Sequence, residues 1–469
     1  MSIYAHMERI AMTTPTGSTP YSDISLSGYW WIDSLLCGTK WGGTLSSGAV
    51  LSYSFLSYGN SYYATDYSPD NEYLASYELS TAQTTAISQA LGAWSAVANL
   101  SFAPTSDSYT NAGDLRFGGY TNMDPGVAAH AYVPGGAPAS GDVWIGLATS
   151  ATNPAPGTYD YSTFLHEIGH ALGLKHPFEN PNVLPAEYDD VRYTVMSYTD
   201  PYSYEPTTPM LLDIAAIQHL YGANMQWHTG NDTYQWAADK AIFETIWDAS
   251  GVDTLSASNQ THAVILNLNS GTFSNIGASF WDGSAYINNG LAIAYGAQIE
   301  NAIGSVYADT LIGNGVANVL NGAAGADRLI GGDGSDVYYV DNTSDSVSET
   351  NATASAGGSD TVYSYLAAYT LGANVENLRL LASGAANGTG NSLNNLIYAG
   401  AGNNSLNGST GIDTASYAYA ASAVTANLAL TVAQATRGSG SDTLLNFENL
   451  TGSNYNDTLI GNVAANTLS

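Results

Sequence analysis

The sequence predicts an α+β domain over residues 1–245 followed by an all-β parallel β-roll over residues 246–469. Three observations carry this division. Helical and strand periods alternate through the first half. After about residue 245 the helical period is gone. From Gly304 onward, Gly, Asn and Asp return every nine residues.

In the first half, residues 48–56 (GAVLSYSFL) alternate as a strand does. Ser80–Leu100 sets Ile87, Leu91, Trp94 and Val97 at helical spacing, with Ser80 as the N-cap. Strands are expected at Asp114–Phe117, Ala128–Val133 and Asp142–Ile145. A second helix is expected over Ser162–Leu172, stopped by Gly173. A third is expected over Pro209–Leu220, stopped before Tyr221-Gly222.

In the second half, aligning Gly304, Gly313, Gly322 and Gly331 puts Asp309, Asn318, Asp327 and Asp336 in one register. Leu311, Leu320, Leu329 and Tyr338 then fall two positions beyond. The nonapeptide pattern G-G-x-G-x-D-x-U-x is most complete at Gly331-Gly332-Asp333-Gly334-Ser335-Asp336-Val337-Tyr338. Three blocks are expected, near 304–340, 388–416 (Asn395, Asn404 and Asp413 in register) and 452–469 (Asp457 and Asn466). Glycine allows positive φ in the turn and lets backbone carbonyls close on a cation. Aspartate supplies a hard oxygen suited to Ca²⁺. Each short strand buries one apolar side chain, so only a stack has a core. A disordered Gly/Asn linker would not keep that hydrophobe in phase. Several structural Ca²⁺ ions are therefore expected, held by Gly304, Asp309, Gly313, Asn318, Gly322, Gly325, Asp327, Gly331, Gly332, Asp333, Gly334 and Asp336. Gly402, Asn404, Gly408, Gly411, Asp413 and Asp457 complete the set. Turns with Asn for Asp, or with Val316 or Leu393 for Gly, are expected to bind weakly or only to pack.

Charge excludes several function classes. There are 40 acidic side chains against 9 Lys+Arg in 469 residues, a formal net charge of −31. Nucleic acid and anionic membrane surfaces both require a basic footprint, and the chain has none. Yet 45% of the residues are hydrophobic, with 34 Tyr and 9 Trp, so this is no acidic disordered tail. No apolar run approaches the roughly 18 residues of a membrane span. Cys37 is the sole cysteine, which excludes an intramolecular disulfide and leaves a small buried apolar role as the expectation. The opening MSIYAHMERIAMTTP puts Arg and Glu where a secretory signal needs an apolar stretch. The protein is expected to stay in the cytoplasm or to leave by a route that reads no N-terminal signal.

The stretch TFLHEIGHALGLKHP contains His166-Glu167-x-x-His170-x-x-Gly173-x-x-His176. On a helix, i and i+4 face one way, so His166 and His170 address one ion. Gly173 breaks the helix and lets His176 return as a third ligand. Three neutral imidazoles and a water form a catalytic type of zinc site, with one Zn²⁺ expected. Glu167 sits beside the first ligand, where its carboxylate can reach the zinc-bound water. His6, His130, His219, His228 and His262 fall outside this pattern and read as ordinary polar residues.

Met196 follows twenty residues after His176, within Tyr193-Thr194-Val195-Met196-Ser197-Tyr198. The extended histidine motif and this V-M-S-Y turn resemble those of the metzincin metalloproteases. With the nonapeptide repeats behind them, the chain resembles the serralysin family of secreted bacterial proteases from about Ile32 to its end. The likeness includes PMLLDIAAIQHLYGAN, IWDASGVDTL and AQIENAIG. It implies a metzincin-like zinc peptidase domain and a secreted, extracellular metalloendopeptidase acting on protein and peptide substrates. Met196 would be the hydrophobic floor beneath the zinc. Tyr198 would be a displaceable further ligand whose hydroxyl stabilises the oxyanion. Extended substrate would lie along an edge strand at Ala129, His130, Ala131 and Tyr132. Asp248, Ser250, Gly251 and Asp253 resemble the family's D-x-G-G-x-D calcium loop, with Ser250 in place of one glycine. His228–Asp232 match its upstream partner loosely. The resemblance further implies a monomer, a type I secretion apparatus and a small protein inhibitor. The family's export signal follows the repeats, whereas Asn466-Thr467-Leu468-Ser469 reads as part of a repeat, so a truncated chain or an unusual signal is expected. A calcium-dependent adhesin with a vestigial or narrowly dedicated protease head is the other class left open.

Overall fold

The computed structural model describes residues 13–149, 152–349, 351 and 357–469. Most of the opening segment read for a secretory signal, His6 included, lies outside the described residues. The first half is an α+β domain with, in chain order, β1 (Ala49–Phe55), α1 (Thr81–Val97), β2 (Leu100–Pro104), β3 (Leu115–Tyr120), β4 (Ala129–Ala131), β5 (Val143–Ile145), α2 (Tyr159–Leu172) and α3 (Leu211–Tyr221). Its main sheet has the order β2-β1-β3-β5-β4. Along that order neighbours run parallel except for β4, which is antiparallel to β5 and forms an edge.

Local chemistry sets the helix ends. Ser80 caps α1 by accepting from Gln83 N, and the Gln83 side chain accepts from Ser80 N in return. The helix stops at Val97, short of the expected Leu100, because Ala98 turns extended and Leu100 pairs with Ala49 in β2. That strand is absent from the sequence expectation. α2 starts three residues before the expected Ser162, capped by the Thr158 side chain. Its first turn is polar and aromatic, so apolar spacing does not reveal it. α3 begins at Leu211 rather than Pro209 and runs through Tyr221 to Gly222. Ile87, Leu91 and Trp94 of α1 meet Phe164, Leu165 and Ile168 of α2 in the buried core. Trp41 Nε1 donates to Ala171 O and the Tyr221 hydroxyl to Leu172 O, satisfying carbonyls that the end of α2 would leave orphaned.

The second half is a parallel β-roll. One sheet of ten strands runs from Thr233–Tyr234 to Asn449–Thr451. Facing strands fall into sheets of four, five and two strands. The three blocks seen in the sequence therefore stack as one continuous body. Successive nonapeptides alternate between faces: Leu311 and Leu329 lie on the four-stranded sheet, Leu320 and Tyr338 on the long one. All four are fully buried. A full turn is thus two repeats, and Asp309 N donates to Asp327 Oδ1 eighteen residues on. Asn318 N makes the same bond to Asp336 Oδ1.

Candidate metal centre and cleft

α2 carries His166 and His170 on one face. Gly173 leaves the helix at φ 112°, where an added Cβ would stand 2.5 Å from Thr39 O. The chain then pairs briefly with residues 35–37, through Lys175 N to Leu35 O and Cys37 N to Gly173 O, which brings His176 back. The three Nε2 atoms lie 3.0–3.2 Å apart. Nitrogens at ~2.0–2.1 Å from a tetrahedral metal stand about that far from one another. Each ring donates its Nδ1 proton outward: His166 to Val195 O at 2.7 Å, His170 to Leu174 O at 2.9 Å, His176 to Glu179 Oε1 at 2.6 Å. Those acceptors fix the tautomers, leaving three Nε2 lone pairs aimed at one point. Burial lowers the pKa of His170 to about 4, with help from His176, and takes His166 well below its usual value. Neutral converging imidazoles repel one another unless a cation lies between them. The residues fit zinc.

Glu167 is buried, and its Oε2 has no hydrogen-bond partner. Burial pushes its carboxyl up to about 8. Met196 is fully buried beneath α2, so close that a Cβ on Gly169 would come within 2.6 Å of its sulfur. Asp213, which the sequence reading did not single out, holds this turn. It accepts from Thr194 Oγ1 at 2.6 Å, Val195 N at 2.8 Å and Met210 N at 2.8 Å. The Tyr198 ring is exposed and stands 4.5 Å from the His176 ring and 5.7 Å from that of His166, centroid to centroid.

Two cavities, of about 310 and 590 Å³, share His166, Glu167, Tyr198, Val127 and Ala129. Both open along β4. His130 Nε2 lies 2.9 Å from Glu72 Oε1 and the Tyr132 hydroxyl donates to the same oxygen at 2.6 Å. Burial would raise Glu72, but the hydrogen bonds from His130, Ser68 and Tyr132 hold it down to about 2. These side chains therefore tie β4 to the helical turn Glu72–Ala75. Cys37 departs from expectation: it is half-buried in the wall of the larger cavity, its Sγ 3.4 Å from Thr39 O.

In the roll, Asp309, Asp327, Asp336 and Asp413 are buried and accept from the turn of a neighbouring coil. Positive φ is found at Gly251, Gly325, Gly332, Gly334 and Gly411. It is absent at Gly304, Gly313, Gly322, Gly331, Gly402 and Gly408, where the sequence reading invoked it for the turn. These glycines are required by space instead. A Cβ would meet Asp309 Oδ2 at 2.6 Å from Gly304 and Asp413 Oδ2 at 2.7 Å from Gly408. Asn318 and Asn404 donate their amides to carbonyls, Glu300 O and Gly402 O respectively. Asp333 is exposed and bonds Asn351, and Asp457 accepts from Val424 N and Ser453. At the junction, Asp248 gathers with His228 and Asp232, while Asp253 Oδ1 accepts from Asp232 N. Ser250 N donates to Asp248 Oδ1, and a Cβ on Gly251 would lie 2.0 Å from Gly230 O.

Glu349 and Asp360 are ligand candidates that sequence reasoning missed. Their carboxylate oxygens and one of Asp336 all lie within 4.8 Å of one another. Asp336 Oδ2 and both Glu349 oxygens are buried without partners. Burial first, then the neighbouring acids, raises Glu349 to about 8 and Asp360 to about 7. Three such acids fit a calcium ion. Asp360 was legible in Gly358-Ser359-Asp360-Thr361-Val362, which repeats Gly334-Ser335-Asp336, but it falls 24 residues on and so out of register.

Comparison with known proteins agrees with this geometry. The family model Matrixin matches residues 66–222, Peptidase M10 serralysin C terminal matches 212–362, and RTX calcium-binding nonapeptide repeat matches 384–415 and 447–469. Serralysin B of Dickeya chrysanthemi is 33% identical over 310 residues, 58% of this chain and 61% of that protein. Metallopeptidase AprA of Pseudomonas marginalis is 36% identical over 267 residues, 49% of this chain and 54% of that protein. Serralysin of Proteus mirabilis is 33% identical over 288 residues, 52% and 56% respectively. The chain spans little more than half the length of these curated relatives. The matrixin and serralysin matches overlap within α3, at residues 212–222, so the similarity to the serralysin family runs through both halves of the chain.

Proposed function

We propose that the protein is a secreted zinc metalloendopeptidase that cleaves extended segments of extracellular proteins. The observation that carries this is the convergence of three Nε2 lone pairs beside the buried, unpartnered Glu167 carboxylate, on a cleft edged by β4. His166, His170 and His176 would hold the zinc, which when bound polarises a carbonyl and acidifies water. Glu167 takes the proton of the attacking water and returns it to the leaving amine. Tyr198 donates to the developing oxyanion from beside the ligand rings. β4 offers its open main chain to the substrate, which favours breadth over sharp sequence preference. In this reading residues 1–245 hold the peptidase and 246–469 the calcium roll, whose long sheet also takes in Thr233–Tyr234 from before that boundary. Among the described residues no helix is long and apolar enough to cross a membrane. The export route is proposed to be a type I apparatus, and the partner a small protein inhibitor. Casein cleavage by the wild type and by Glu167→Ala is the test. The substitution should abolish turnover, and equal activity in both would sink the hydrolase mechanism.

A further inference from the structure

We propose that Asp200 makes the smaller cavity select a lysine or arginine side chain on the substrate residue that follows the scissile bond. The proposal rests on the peptidase reading above. Its basis is the chemistry of the cavity wall. Val127, Val191 and Val195 line it, and Asp200 is half-buried among them. Apart from Glu167, Asp200 is the only acid or base of Asp/Glu/Lys/Arg type among the lining residues. Nothing cationic offsets it: no ion pair to Asp200 occurs among the described residues. Tyr202 N donates to it at 3.4 Å, and the neighbouring Glu205 carboxyl shares a hydrogen bond with it. Burial, then the Asp200 charge and their hydrogen bond, push the buried Glu205 carboxyl up to about 9, so it keeps its proton and the pair presents one negative charge, on Asp200. A long basic side chain suits such a wall at both ends. Its methylene stem packs on the valines, and its head meets a carboxylate partly withdrawn from water.

Strand geometry gives the side of the scissile bond. The larger cavity follows β4 to Ala131 and on to Val133, whereas the smaller one touches only Gly126–Ala129 at its start. A peptide added antiparallel, the more stable pairing, runs from the Val133 end towards the Gly126 end. Its C-terminal side, the side of the leaving amine, therefore enters the cavity with Asp200.

The test uses peptides identical except for arginine, norleucine or glutamate after the scissile bond. The full-length protein should cleave the arginine peptide with a kcat/KM about tenfold higher, the worth of a charged hydrogen bond. Asp200→Asn should bring that ratio to about one, and Asp200→Lys should reverse it in favour of glutamate over arginine. Partial misfolding scales both rates alike and leaves the ratio untouched. Binding of the same peptides to Glu167→Gln protein, read by fluorescence anisotropy, reports the preference without turnover. Tighter binding of the arginine peptide with no hydrolysis by the wild type removes the hydrolase reading and keeps this one. Equal binding, or an equal ratio in wild type and Asp200→Asn, overturns it.

Discussion

Gly169, beside His170 on α2, is tightly constrained. A Cβ there would reach the Met196 sulfur at 2.6 Å and Trp94 at 3.3 Å, in a core where Met196 and Trp94 are fully buried. Gly169→Ala should cost about 1–3 kcal/mol through overpacking, read as a lowered denaturant midpoint. Unchanged stability would mean that Met196 has room to move. Glu179 is the residue that holds His176, its Oε1 2.6 Å from the ring's Nδ1. Glu179→Ala should weaken zinc binding by about 10–100-fold in metal-buffered titration, and Glu179→Gln, which keeps an acceptor oxygen, far less. If both variants bind zinc as the wild type does, Glu179 does not orient the ring. The positions of His166, Glu167 and His170 were legible because spacing on a helix is itself geometry, and that of His176 because Gly173 ends the helix and turns the chain back. Glu179 was not: Pro177 and Phe178 put it in a turn, where periodicity carries no signal.

Among the elements, α3 matters to the centre although it contributes no ligand. Its first-turn Asp213 collects Thr194 Oγ1, Val195 N and Met210 N, which fixes the turn bearing Met196 to the start of the helix. Asp213→Ala leaves three buried donors without an acceptor. We expect a loss of about 3 kcal/mol, seen in chemical unfolding. A loss under about 0.5 kcal/mol, the size of an ordinary surface change, would contradict the clamp. Helices and edge strand were readable here because apolar spacing marks buried faces. Their ends were not, since caps decide them: α2 begins at the polar stretch after Thr158, and α1 gives way to β2 where Leu100 finds Ala49. The roll was legible turn by turn through Leu311, Leu320, Leu329 and Tyr338. Its continuity across Glu349 and Asp360 was hidden, because the longer excursion between coils breaks the nine-residue register while the stacking persists.

Over the whole molecule, acidity is spread through both halves, and in the roll part of it lies where the coils meet. Residues 246–469 contain 17 Asp+Glu and 3 Lys+Arg. Several of these acids are buried against one another, and burial raises Asp327 to about 7, Asp336 to about 6, Asp360 to about 7 and Glu349 to about 8. Each raised carboxyl binds its proton more tightly in the folded roll than in the unfolded chain, where its pKa is about 4. The folded state therefore holds extra protons between about pH 4 and pH 8, and its stability falls as pH rises through that window. Calcium supplies the positive charge that the protons otherwise provide, so it should bind with proton release and most tightly where the carboxyls are ionised. Without calcium, the roll of the full-length protein should melt at a lower temperature at about pH 8 than at about pH 5.5. With calcium the order should reverse or level, because the ion stabilises most at the higher pH. Circular dichroism melts at the two pH values, with calcium or a calcium chelator, decide it. A calcium-free roll that grows more stable towards pH 8, or a calcium effect equal at both, would show that these buried acids are satisfied by the protein alone.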